Sequence, residues 1–173
     1  MRLKLGLDFS PASPTQARNV TRLGDLDGDT KPELVIWVEE ERKGRAIVVS
    51  SKGAQEPLFV LKSSKPNGVG GGWFGYSSLS GLDANGDGTM DIAAADAIGF
   101  FYNTIRVYSG KDGHAFWERK IREAGTLSGL GMALGSDAGG DGVCDFLVGT
   151  CPWGWTSGSL GNGEVYLLSG KTG

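Results

Sequence analysis

The sequence predicts an all-β fold made of three repeated units, each with up to four short strands. Glycine accounts for 30 of the 173 residues, more than double its usual share of about 7%, which indicates many tight turns. Two motifs recur with one common spacing along the chain. Apolar residues alternate or form short runs, as in strands, without sustained helical periodicity. Together these observations favour short strands joined by glycine-rich turns.

An acidic motif occurs three times, and its copies start 58 and 54 residues apart. It reads DLDGDTKPE at residues 25–33, DANGDGTMD at 83–91 and DAGGDGVCD at 137–145. A turn rich in serine, lysine and glycine follows each copy, at residues 49–53, 108–113 and 168–173. Because two separate motifs keep the same period, the repeat is a property of the chain and not a chance match.

Each unit contains apolar segments of strand length before the acidic motif, directly after it and before the turn. The first two units add a fourth segment after the turn. The predicted strands span residues 20–23, 34–38, 46–49 and 57–61 in the first unit, 76–82, 92–95, 104–108 and 115–117 in the second, and 132–134, 146–148 and 164–168 in the third.

Four-stranded units with this period are typical of β-propeller blades. We therefore expect a single domain with blades at about residues 16–62, 74–120 and 128–173. Closed propellers typically have four to eight blades. Three arrangements thus stay open: part of a longer propeller chain, a homo-oligomer such as two chains with six blades, or a compact three-repeat monomer.

The N-terminal segment is predicted to form a spare strand at residues 2–9. Leu3, Leu5, Leu7 and Phe9 alternate and would share one face of it. Since the third unit has no predicted fourth strand, we expect this segment to complete the last blade.

The acidic motifs are predicted to be calcium loops. Carboxylates at alternate positions repel one another unless a cation lies among them, and calcium accepts six to eight oxygen ligands in irregular geometry. The expected ligands are side chains at positions 1, 3, 5 and 9 and the backbone carbonyl at position 7. They are Asp25, Asp27, Asp29, Lys31 and Glu33 in the first loop, Asp83, Asn85, Asp87, Thr89 and Asp91 in the second, and Asp137, Asp141, Val143 and Asp145 in the third.

The three loops differ in quality. The second is expected to be the best formed, because Gly88 permits a sharp turn where Thr30 of the first loop resists positive φ. Gly139 removes one ligand from the third loop. The competing interpretation is an Asx-rich turn that binds no ion. An EF-hand is excluded because position 12 of the loops is Ile36, Ala94 or Val148, where that motif requires glutamate.

Residues 74–91 resemble an FG-GAP repeat, the blade unit of integrin α-chain propellers and of many bacterial surface proteins. The pair Phe74-Gly75 and the acidic loop after it carry the resemblance. The third unit has Leu130-Gly131 at the position of the pair, and the first unit lacks it. The resemblance implies a β-propeller with Ca²⁺ between the first two strands of each blade. It also implies a structural, adhesive or protein-binding role at the cell surface or outside the cell.

Other classes of function find little support in the sequence. The net charge is -3 without a basic cluster, which argues against nucleic acid as a partner. No apolar run approaches the roughly 20 residues of a membrane span, and residues 1–8 do not resemble a signal peptide. His114 is the single histidine and no nucleophile-elbow motif occurs, so we expect no enzyme. Cys144 and Cys151 are expected to be free thiols.

Two tryptophans leave an alternative open. Trp153 and Trp155 lie in a glycine-rich stretch, where exposed indoles could stack on sugar rings or anchor a protein. Carbohydrate binding, or a role as an accessory domain of a larger secreted enzyme, is therefore the competing function. Packing of both indoles between blades is the simpler interpretation.

Deletion of residues 1–9 tests the predicted spare strand. The truncated chain should melt at a lower temperature or change its oligomeric state, because the last blade would lose its fourth strand. Circular dichroism would follow the melt and light scattering the mass. If both stay unchanged, residues 2–9 complete no blade.

Overall fold

The computed structural model describes residues 16–40, 43–52, 57–63, 74–75, 77–98, 102–123, 127–153 and 163–173, and these ranges contain eleven strands and no helix. The all-β prediction is therefore confirmed for the described part of the chain. The strands are β1 (Gln16–Arg22), β2 (Leu34–Glu40), β3 (Lys43–Val49), β4 (Phe59–Lys62), β5 (Ser78–Leu82), β6 (Asp91–Ile98), β7 (Tyr102–Tyr108), β8 (Ala115–Glu123), β9 (Leu127–Leu134), β10 (Phe146–Trp153) and β11 (Glu164–Leu168).

The strands form three antiparallel sheets, and in each sheet strands that follow one another along the chain are neighbours. The first sheet has the order β1-β2-β3-β4, the second β5-β6-β7-β8 and the third β9-β10-β11. The third sheet thus has three strands within the described residues. The segment 2–9, predicted to supply a fourth, lies outside them.

Alternation along β2 and β6 packs the sheets on one another. In β2, Val35 and Trp37 belong to a core shared with the second sheet, which includes Ile92 and Ala94 of β6. The intervening residues of β6, Ala93 and Ala95, belong to a second core with the third sheet, as do Phe146 and Val148. The second sheet is therefore buried on both faces, which explains why residues 92–95 of β6 form an apolar run.

The pair Phe74-Gly75 fastens the first sheet to the second. The ring of Phe74 meets the indole of Trp37 edge-on, with ring centroids 5.2 Å apart and an interplanar angle of 71°. Gly75 has a φ of 72°, and a Cβ there would come within 1.7 Å of Trp37 Cε3. The backbone N–H of Gly75 donates to the carbonyl oxygen of Ala95 at 2.8 Å. Glycine is required here both by the backbone conformation and by the indole against it.

A buried ion pair within the second sheet accepts a further hydrogen bond from the end of the first sheet. Arg106 of β7 donates from Nη1 to Asp96 Oδ2 of β6 at 2.8 Å, and both side chains are almost completely buried. Ser63, directly after β4, donates its hydroxyl to the same carboxylate at 2.8 Å. Arg106 also reaches Glu118 Oε2 through Nε and Nη2. The charges are thus matched by partners, which a buried pair needs in order not to destabilise the fold.

Substitution of Gly75 tests the contact with Trp37. Gly75→Ala should lower the free energy of unfolding by about 3 kcal/mol, because the methyl group overlaps the indole and φ is positive. Gly86→Ala is the matched control, since Gly86 has a φ of 74° but no described atom within 4 Å of its Cβ position. It should cost only about 1 kcal/mol. Urea denaturation measures both, and equal costs would show that the indole contributes nothing.

Candidate metal centre

Each acidic loop connects the first strand of a sheet to the second. The loops lie between β1 and β2, between β5 and β6, and between β9 and β10. Asp83 and Asn85 of the second loop line one cleft together with Asp141 and Cys144 of the third. The repeat in sequence thus places the second and third loops side by side.

The aspartate at position 1 organises each loop by accepting backbone hydrogen bonds. Asp83 Oδ1 accepts from the N–H of Asp87 at 3.0 Å, and its Oδ2 accepts from the N–H of Gly88 at 2.8 Å. The first and third loops make the equivalent bonds. They are Asp29 N to Asp25 Oδ1 at 3.1 Å, Thr30 N to Asp25 Oδ2 at 2.8 Å, Asp141 N to Asp137 Oδ1 at 3.1 Å and Gly142 N to Asp137 Oδ2 at 2.9 Å.

Thr30 adopts the left-handed conformation that glycine adopts in the other loops. Its φ is 67°, against 82° for Gly88 and 86° for Gly142. Among the described residues it is the single non-glycine with positive φ. The expectation that Thr30 would resist positive φ is therefore wrong. The hydrogen bond to Asp25 and the shape of the loop outweigh the local strain.

The acidic residue at position 9 joins the loop to the serine-lysine turn in the second and third units. Asp91 Oδ2 accepts from the N–H of Ala84 at 2.7 Å, and its Oδ1 accepts from the N–H of Gly110 at 2.9 Å. Asp145 makes the same pair of contacts with Ala138 at 2.8 Å and Gly170 at 3.3 Å. Both oxygens of these carboxylates are thus already engaged by the backbone.

The first unit departs from this arrangement at two positions. A Cβ at Gly110 would lie 1.9 Å from the carbonyl oxygen of Met90, yet the first unit has Ser51 at the equivalent place. In the first unit the longer Glu33 also replaces the aspartate at position 9. Glu33 Oε2 accepts from the N–H of Leu26 at 2.5 Å. Its Oε1 is buried and meets no hydrogen-bond donor within the described part of the chain.

Four carboxylates converge in the first loop. One oxygen from each of Asp25, Asp27, Asp29 and Glu33 lies within 4.8 Å of the others, and this is the single group with such geometry among the described residues. Asp29 Oδ2 is also buried without a hydrogen bond from any described residue. The sequence favours the second loop as the best-formed site. The acidic side chains that converge are instead those of the first loop. Glu33 keeps one oxygen without a described donor, whereas both oxygens of Asp91 and Asp145 accept backbone hydrogen bonds.

Local hydrogen bonds hold several loop carboxylates in the charged form. The pKa of Asp27 is lowered by the hydroxyl of Ser50 and then by the charge of Lys52. The pKa of Asp137 is lowered mainly by the N–H of Gly142. Their contribution to stability is present above the ordinary pKa of 3.8 and is lost as the pH falls through the lowered values. Burial has the opposite effect on Asp91 and raises its pKa.

The remaining predicted ligands lie at positions 3, 5 and 7 of the loops. The side-chain amide of Asn85, at position 3, donates to Asp87 Oδ2 at 3.0 Å. Position 7 is occupied by Lys31, Thr89 and Val143, whose backbone carbonyls remain candidate ligands. Asp87 and Asp141 lie exposed at position 5 of their loops. Cys144 is a free thiol among the described residues, as predicted. The side chains of Cys151, Trp153 and Trp155 lie outside the described part of the structure.

The sequence analysis missed the turn residues that contact the predicted ligands of the first loop. It treated Ser50, Ser51 and Lys52 only as a turn, whereas Ser50 donates to Asp27 Oδ2 at 2.7 Å and Lys52 to Asp27 Oδ1 at 3.2 Å. The shared period of the acidic loop and the serine-lysine turn was the available signal. Two motifs that recur with one period can lie against each other in every unit.

Comparison with known proteins provides no family assignment. No protein-family model matches the chain, and no curated protein matches its sequence. Across the described residues, no helical segment has the length and hydropathy that a membrane-spanning helix requires.

Replacement of Thr30 tests the strained turn. Thr30→Gly should raise the free energy of unfolding by about 1 kcal/mol, because glycine adopts positive φ without the steric cost of a branched side chain. Thr89→Gly is the control, since Thr89 lies in the second loop without positive φ, and it should be destabilising. Chemical denaturation in EDTA measures both, and a destabilised Thr30→Gly would contradict the assignment of strain.

Proposed function

We propose that this chain is a calcium-binding FG-GAP repeat module with a structural or protein-binding role outside the cell or at its surface. One observation carries the proposal: four carboxylates of the first loop converge within 4.8 Å, and two of them bear buried oxygens without a donor among the described residues.

The charge balance of the first loop favours a divalent cation. Glu33 is 0% exposed, and a buried carboxylate oxygen without a partner is costly. Among the described residues, Lys52 brings a cation to the loop, with Nζ 3.2 Å from Asp27 Oδ1 and 4.0 Å from Asp29 Oδ2. A bound cation would satisfy the two buried oxygens and offset the repulsion among the carboxylates.

Calcium suits this donor set better than magnesium. Calcium accepts mixed carboxylate and carbonyl oxygens at 2.3–2.6 Å in flexible geometry, whereas magnesium demands a near-ideal octahedron and keeps several waters. The irregular loop offers Asp25, Asp27, Asp29 and Glu33, with the carbonyl of Lys31 at position 7 as a further ligand. The second and third loops are weaker candidates, because Asp91 and Asp145 already accept backbone hydrogen bonds with both oxygens.

The arrangement of the sheets supports a propeller segment. The first strands of successive sheets contact one another, β1 with β5 and β5 with β9, as the inner strands of neighbouring blades do. The third sheet exposes Leu147, Val165 and Leu167, and in a propeller the next blade would pack against such a sheet. More of a longer chain or a second copy could supply that blade.

The contact made by Phe74-Gly75 supports the family proposal. This pair carries the resemblance to FG-GAP repeats in the sequence, and in the structure it packs on Trp37 of the preceding sheet. A motif that joins one blade to the next has a reason to recur in a propeller. Weak calcium sites of extracellular modules, with Kd on the order of 10⁻⁴–10⁻³ M, suit a role in assembly or adhesion where calcium is abundant.

Thermal melting of the full chain with calcium, magnesium or EDTA tests calcium binding. Calcium at 100 times its Kd should stabilise the protein by about 2.7 kcal/mol, which corresponds to a rise of about 5–10 °C in Tm for a chain of this size. Equal magnesium should give a much smaller rise. Asp29→Asn and Glu33→Gln should each remove at least about half of the calcium response, because each loses a charged ligand.

Glu164→Gln is the charge-matched control, since Glu164 begins β11 and contacts Tyr166 away from the first loop. It should keep the full calcium response. A wild-type protein that does not respond to calcium would refute the proposed function. A full response in both loop variants would place the ion outside the first loop.

A further inference from the structure

The serine-lysine turn after the third strand of each sheet packs against the acidic loop of the same unit. The three turns share one hydrogen bond, in which the N–H of Lys52, Lys111 or Lys171 donates to the hydroxyl of the serine two positions earlier at 3.2 Å. The fold therefore brings one lysine toward each acidic loop. None of the three is a candidate calcium ligand, because an ammonium has no lone pair to offer.

Lys52 makes the closest approach. Its Nζ lies 3.2 Å from Asp27 Oδ1 and 4.0 Å from Asp29 Oδ2. The other oxygen of Asp27 accepts the hydroxyl of Ser50 at 2.7 Å. Two of the four converging carboxylates thus already face a positive charge of the chain itself. The side chain of Lys52 is 54% exposed while that of Asp29 is 5% exposed, so the lysine reaches a shielded carboxylate from the solvent side.

The third unit repeats the arrangement with looser contacts. Lys171 Nζ lies 3.4 Å from the carbonyl oxygen of Asp141, and Ser169 donates to Asp141 Oδ2 at 3.4 Å. In the second unit the charge of Lys111 contributes to lowering the pKa of Asp87, after the larger effects of Asn85 and Thr89. A lysine of the turn thus interacts with the loop of its own unit by direct contact in the first and third units and through its charge in the second.

We propose that Lys52 is a built-in counter-cation of the first loop, which stabilises the ion-free loop and sets its calcium affinity by competing for Asp27 and Asp29. The inference rests on the proposed calcium site. It adds that a lysine of the chain itself lowers the calcium affinity of the site. The module therefore stays folded without calcium, and the site fills only at high calcium concentration.

Two physical effects produce this tuning. Without calcium, the ammonium offsets part of the repulsion among four carboxylates. With calcium, Asp27 must exchange the ammonium for the ion or share its oxygens between two positive charges, and both weaken binding. Because the lysine is half exposed, it can swing into water at little cost, so the competition is modest. Removal of this charge should tighten the calcium Kd by about tenfold.

Calcium titration calorimetry on four forms of the full chain tests the inference: wild type, Lys52→Gln, Lys52→Arg and Lys62→Gln. Lys62 is exposed on β4 and pairs in register with Arg45, away from the turn, so its variant changes the net charge equally. Lys52→Gln should bind calcium about tenfold more tightly, whereas Lys52→Arg and Lys62→Gln should stay within about twofold of wild type.

Thermal melts in EDTA complete the test. Without calcium, Lys52→Gln should melt at a lower temperature than Lys62→Gln, because the loop loses its internal cation, and it should gain more from added calcium. If wild type binds calcium and Lys52→Gln matches Lys62→Gln in both measurements, the counter-cation role is refuted and the calcium site stands. If neither wild type nor Lys52→Gln binds calcium, the proposed function itself fails.

Discussion

A buried carboxylate at the end of the second and third acidic loops joins two sequence motifs, across 19 residues in the second unit and 25 in the third. In the second and third units, Asp91 and Asp145 accept one N–H from their own loop and one from the serine-lysine turn. Backbone donors that would otherwise be buried without a partner are thereby satisfied. The position of the turn, and hence of its lysine, depends on this bridge.

The first unit shows how a small change in this bridge alters the chemistry of the loop. Ser51 stands where the other units have Gly110 and Gly170, and Glu33 accepts the N–H of Leu26 in its own loop while its second oxygen has no described donor. The same loop accepts a strained Thr30. Departures from the local pattern of a repeat tend to collect at functional sites, and here they accompany the four converging carboxylates.

Much of the fold could be predicted from the sequence because the signals are local. The apolar runs at residues 34–38 of β2 and 92–95 of β6 indicate burial on both faces, and the two motifs at one period delimit the units. The contact between Phe74-Gly75 and Trp37 could not be predicted, because the residues belong to different units. The same holds for the ion pair of Asp96 and Arg106 with Ser63, since no local pattern states which strands meet across two sheets.

The sequence by itself determined the all-β class, the repeat and the carboxylates available for a cation, since strand periodicity and residue spacing are local properties of a chain. Only the tertiary structure decided which loop gathers its carboxylates and which lysine faces them. That choice depends on contacts between residues distant in the chain, such as those that Ser50 and Lys52 make with Asp27. Spacing along the chain specifies which groups recur, whereas convergence within a few ångströms is a property of the folded backbone.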